Sequence, residues 1–213
     1  MPAAQKPRLR GVFHEWAFFA AIPLGIVLGV EAHGPRAIVG AWIFAASVAL
    51  MFGASALYHR VNWSPAKRIV LRRVDHLGIY GLIAGTYTPV GLLTLHGAWR
   101  WSVLGVVWGG ALVAAVVKMS FPHAPKWVAA SIALALGWVG VAAFPEIASQ
   151  LGAGGAILIL LGGLSYTAGA IVYARRRPDP LPGTFGYHEI FHLLVVVAVA
   201  LQYVAVAFFV LPR

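Results

Sequence analysis

The sequence predicts an all-α membrane protein: one domain over residues 1–213, built as a seven-transmembrane helix bundle with its N-terminus cytoplasmic and its C-terminus outside. Three observations predict this. Of 213 residues, 61% are hydrophobic and 10% are charged, against roughly 45–50% and about 25% in ordinary soluble domains. Apolar stretches of about 20 residues, the length that crosses a bilayer, alternate along the chain with clusters of Lys and Arg. The even in–out alternation of a membrane β-barrel is absent, which leaves helices, the other structure that satisfies its own backbone hydrogen bonds in hydrocarbon.

The spans follow in order. The first, 16–30, is short, begins beside Glu15 and carries Pro23. With its basic leader and the sequence Val30-Glu31-Ala32 behind it, it also has the outline of a cleavable signal, but it is read as a retained span. The second, 37–58, runs into His59, with Ser55 one turn earlier. The third, 74–95, opens on Asp75 and His76 and contains Pro89, which, like Pro23, removes an intrahelical donor and predicts a kink. The fourth and fifth are 101–117 and 127–144. The sixth is 151–174, and the seventh, 188–211, opens on His188 and His192. Trp16, Trp99, Trp101 and Trp127 fall near span ends, where interfacial aromatic anchors belong. Gly25/Gly29, Gly81/Gly85 and Gly105/Gly109 have the small-xxx-small spacing of closely packed helices within one bundle.

Loop charges give the orientation. Thirteen cations fall on one side: Lys6, Arg8, Arg10, Arg60, Lys67, Arg68, Arg72, Arg73, Lys118, Lys126, Arg175, Arg176 and Arg177. Only Arg36, Arg100 and Arg213 fall on the other, so the first side is cytoplasmic. The net charge of +10 is thereby explained by topology and contacts with anionic lipids, and no nucleic-acid partner is expected. The partners are membrane lipids, and the place is the cell inner membrane. With no cysteine and six acids (Glu15, Glu31, Asp75, Glu146, Asp179, Glu189), any metal has to sit on His, Asp or Glu.

Ionisable residues at membrane depth are costly and therefore candidates for function. In this topology Ser55, His59, Asp75, His188 and His192 all reach the same leaflet, His188 and His192 on one helical face because they are four apart. Three imidazoles suit zinc and leave a position for water, as in catalytic sites. Asp75 would hold that water or orient a ligand, and Ser55 would assist, unless its hydroxyl simply bonds back to the carbonyl of residue 51. His14, His33, His96 and His123 are read as interfacial side chains that need no partner. His76, about 100° around the helix from Asp75, is read as structural. His188-Glu189-Ile190-Phe191-His192 also spells the H-E-x-x-H of zinc proteases, with Glu189 as base. Few residues and no third ligand follow it, and Glu189 could instead pair with a basic-side arginine such as Arg73 or Arg176.

The set Ser55-x3-His59, Asp75-His76-Leu77-Gly78-Ile79-Tyr80, Gly85-Thr86-Tyr87-Thr88-Pro89 and His188-x3-His192 resembles the hemolysin III family, the bacterial branch of the progestin and adipoQ receptor superfamily, itself similar to alkaline ceramidases. The resemblance runs from the first span to the last. It implies a seven-helix fold with Zn2+ held near the cytoplasmic face by His59, His188 and His192, with Asp75 on the water and Ser55 as companion. It implies, further, hydrolysis of a lipid amide or acyl bond. A receptor-like or membrane-regulating protein with structural zinc is the alternative, and an intramembrane H-E-x-x-H protease a third reading.

Overall fold

The computed structural model describes residues 6–121 and 125–213. His123 lies outside the described residues. Among the described residues, seven α-helices follow one another: α1 (Val12–Val30), α2 (Pro35–Arg60), α3 (Pro65–Thr94), α4 (Gly97–Ser120), α5 (Lys126–Gly137), α6 (Phe144–Arg175) and α7 (Tyr187–Ala205). A 3-10 turn, Val139–Ala143, joins α5 to α6, and a π turn, Val206–Val210, ends α7. Among the described residues there is no strand, so the all-helical class is borne out. Pro35 and Pro65 stand in the first turns of α2 and α3, where the missing N–H is one the helix leaves unbonded anyway.

Among the described residues, six helical stretches are long and apolar enough to cross a membrane, and the fifth of these, Trp127–Arg175, has 49 residues. A straight helix of that length would measure about 74 Å, more than twice the roughly 30 Å hydrocarbon core. The stretch is broken instead at Gly152, whose φ of 69° and ψ of 178° are non-helical, and α5 packs back against α6. The sequence places a connection between residues 144 and 151; the structure keeps that segment helical and puts the break at 152. Pro145, in the first turn of α6, costs nothing there, whereas a positive φ is open essentially to glycine. Other boundaries move outward for a common reason. α3 begins nine residues before 74 and carries Lys67, Arg68, Arg72 and Arg73 beyond the apolar stretch, because hydropathy marks the lipid-covered part of a helix and not its ends.

Packing follows the small residues in part. A Cβ on Gly29 would lie 2.4 Å from the Trp42 ring, one on Gly25 2.9 Å from Ala45, and one on Gly85 2.1 Å from the Ser47 hydroxyl, so these glycines let α1 and α3 close on α2. Gly81, Gly105 and Gly109 face open space, so their expected packing role is not realised. One core gathers Tyr80, Ala84, Val107 and Leu151 from α3, α4 and α6. A second gathers Phe44, Met51, Phe52 and Val199 from α2 and α7. Outward, Trp16, Leu50, Leu112 and Phe208 are left exposed, the surface a bilayer covers.

At the basic end the chain before α1 is tied across the helix mouths. Arg8 N–H donates to the Gly183 carbonyl (3.0 Å) and Leu9 N–H to that of Thr184 (3.2 Å), while Lys6 Nζ donates to the Arg60 carbonyl (2.8 Å). Arg60 also pairs with Glu15 at 2.7 Å, and Arg10 with Glu189. Partial burial, and then the guanidinium groups of Arg60, Arg68 and Arg10, hold the Lys6 amine below its usual range. Gly11, with φ of 82°, lets the strap turn into α1 directly against His59, where a Cβ would meet the His59 Cβ at 2.7 Å.

Candidate metal centre

Two helix ends meet under this strap. His59 closes the last turn of α2, and His188 and His192 occupy the first two turns of α7 on one face. All three are buried, and one nitrogen from each lies within 4.8 Å of the others. His59 Nε2 and His188 Nε2 are 3.2 Å apart. A tetrahedral ion with bonds of about 2.0–2.1 Å holds neighbouring ligand atoms roughly 3.3 Å apart, so this pair has the spacing of a shared cation. The donor set fits as well, since imidazole suits zinc among the divalent metals.

α3 brings Asp75 alongside. Its Oδ2 is 3.9 Å from His59 Nε2, and its carboxylate is hydrogen-bonded to Ser55, one turn before His59 on α2. The hydroxyl of Ser55 therefore stands beside the neighbouring carboxylate. The five residues picked from the sequence are thus brought together.

Three expectations need correction. His76, set apart by its angle on α3, lines the same cavity; its Nδ1 lies 3.7 Å from Asp75 Oδ2 and donates to the Arg72 carbonyl at 2.7 Å. A cavity running between several helices accepts side chains over more than 100° of one of them. Glu189 pairs with Arg10, not with Arg73 or Arg176, and its second oxygen accepts from Gly186 N–H (2.9 Å) at the start of α7. Its carboxylate is fully committed to the strap and the helix end, which removes it from the role of protease base. His14, taken for an interfacial side chain, is 2% exposed and stacks on His192, ring centroids 3.9 Å apart and planes 6° from parallel. The signal was present: His14, Phe18, Ala21, Gly25 and Leu28 form one inward stripe at helical spacing, visible once α1 is begun at Val12.

The centre forms one end of a cavity of about 130 Å³. Away from the histidines its walls are Ile79, Ile83, Ala133, Leu134, Trp138 and Ala170, with Tyr166 and Gly163. From Tyr173 to Gly163 along α6 is roughly 15 Å at 1.5 Å per residue. Trp138 Nε1 donates to Thr167 Oγ1 at 3.0 Å, and that hydroxyl donates to the Gly163 carbonyl at 2.8 Å, whereas the buried Tyr166 hydroxyl has no hydrogen-bond partner. The space thus joins a polar end to an apolar channel.

Known proteins are similar to this chain in sequence. The family model described as "Haemolysin-III related" matches residues 3–203. The chain is 32% identical to "Hemolysin-3" of Bacillus cereus, over 94% of this chain and 90% of that protein. It is 33% identical to "Hemolysin-3 homolog" of Bacillus subtilis (strain 168), over 81% and 78%. It is also 26% identical to the human "Monocyte to macrophage differentiation factor", over 79% and 69%.

Proposed function

The chain belongs to the haemolysin-III-related family, and from that premise we propose that it is a multi-pass inner-membrane protein that uses zinc to hydrolyse an amide or ester bond of a lipid. The observation that carries the reading is the joining, in one cavity, of three clustered imidazoles and a Ser55–Asp75 pair to an apolar channel. In this reading the chain forms one domain and crosses the bilayer seven times, α5 with the 3-10 turn making the fifth crossing and α6 the sixth. The basic end faces the cytoplasm, as the loop cations favour.

His59, His188 and His192 would hold the ion. A bound zinc polarises a carbonyl and lowers the pKa of water toward about 7. The chain's own residues do the rest. The channel walls seat the acyl chain with its carbonyl toward Asp75 and keep bulk water out. Asp75 takes a proton from the water that adds to the carbonyl carbon, then returns it to the departing nitrogen or oxygen as the acyl bond breaks. Ser55, donating to Asp75, fixes which way that carboxylate points.

Elemental analysis of the purified protein and of His188→Ala, beside fatty-acid release from a panel of acyl amides and esters, tests this. About one zinc per wild-type chain, loss of metal in His188→Ala, and release by wild type but not by a metal-replete Asp75→Asn are expected. Equal zinc in wild type and His188→Ala sinks the site.

One observation favours a structural ion instead: the ligands come from α2 and α7, whose main packing partners are α3 and α6 respectively, so an ion would tie together two helices that are not each other's chief neighbours. Under that reading removing the metal lowers the melting temperature, and Asp75→Asn leaves function intact.

A further inference from the structure

We propose that His14 is a further polar residue of this centre, one whose ring hydrogen-bonds the water or substrate oxygen seated beside the three clustered histidines. The inference rests on the metal-centre reading and adds a residue from α1, a helix that supplies none of the other site groups. His14 is 2% exposed and lines the cavity together with Ser55, His59, Asp75, His188 and His192. Both its ring nitrogens are buried, and neither makes a hydrogen bond of good geometry, the backbone of His192 being the polar group beside the ring.

That last fact decides between two roles. The parallel stack on His192 and the tilted contact with Phe52, at 5.0 Å, are contacts a phenyl ring supplies equally well. If stacking were the whole role, an imidazole would be a poor choice, because a buried polar group left unpaired costs about 1–3 kcal/mol. Buried nitrogens are almost always satisfied. The cavity edge beside His192 is the place from which a partner can come, and a neutral imidazole offers it one donor and one acceptor.

The test loads full-length protein in detergent with Co2+ and follows the visible absorption bands while azide, a small anion that competes for a metal's open position, is titrated in. Wild type, His14→Phe, His14→Leu and His14→Gln are compared. Phe keeps ring and volume, Leu guards against overpacking by the larger phenyl, and Gln restores a donor and an acceptor. Phe and Leu variants are expected to bind Co2+ as tightly as wild type while their affinity for azide falls about tenfold or more, the worth of one hydrogen bond to an anion. His14→Gln should recover most of that loss. Azide affinity unchanged in both Phe and Leu variants overturns the inference. So does a fall in Co2+ affinity with azide binding by the loaded protein intact, since His14 would then only pack on a ligand. Wild-type protein that takes up no Co2+ overturns the metal-centre reading itself, a distinct result visible before any variant is made.

Discussion

Between two histidines that face the cavity, Glu189 turns the other way, because a residue next to His188 lies about 100° around the helix. Its side chain is fully buried and answered by Arg10 and by the Gly186 N–H. Removing Arg10 leaves that carboxylate uncompensated, and breaking such a pair from one side costs roughly 3 kcal/mol. Arg10→Ala is therefore expected to melt well below wild type while wild-type zinc content survives below the transition, as thermal scans with metal analysis will report. Glu189→Gln, which keeps an acceptor for Gly186, should destabilise less and retain both metal and lipid hydrolysis. Loss of hydrolysis in Glu189→Gln with zinc in place would restore the H-E-x-x-H base. The same residues show what a sequence makes visible. His188 and His192 declare a shared face by their spacing, and His59, Asp75 and Ser55 declare a shared leaflet by their places at span ends. Glu189's partner could not be read, because it depends on a strap that crosses 179 positions of sequence to reach it.

Helices in this protein begin and end where backbone geometry dictates, and apolar runs outline only their lipid-covered middles. This explains why seven helices could be counted from composition while α3 starts nine residues early and the join of α5 to α6 was misplaced. Gly152 offers a test at this scale. Its φ of 69° with ψ of 178° lies in a region that is essentially glycine's alone, and nothing lies within 4 Å of where its Cβ would stand. Any harm from Gly152→Ala is then conformational, about 1–3 kcal/mol. Gly109, equally open but helical within α4, is the control: alanine there should be neutral or stabilising by up to about 1 kcal/mol. Thermal or denaturant unfolding in one detergent compares them, and equal behaviour of the two variants would mean that the break at 152 is not held as described.

For the whole molecule, the chain's lack of cysteine makes membrane topology directly measurable. Single cysteines at Ser64, Ala98 and Arg213, all exposed, can be probed in intact cells with a maleimide that does not cross membranes. Seven crossings with the basic end inside require labelling at 98 and 213 from outside and at 64 only after permeabilisation. Labelling of 213 from the inside would reduce the crossings to an even number.

The separation of 129 positions between His59 and His188 also sets a timetable. Two of the three clustered imidazoles sit on α7, which leaves the ribosome after α1 to α6, so the pocket does not exist until α7 has been made, even if the earlier helices have already entered the bilayer. Whatever fills it arrives after translation has passed residue 192, and a polypeptide truncated before α7 would be inserted yet permanently unable to be charged.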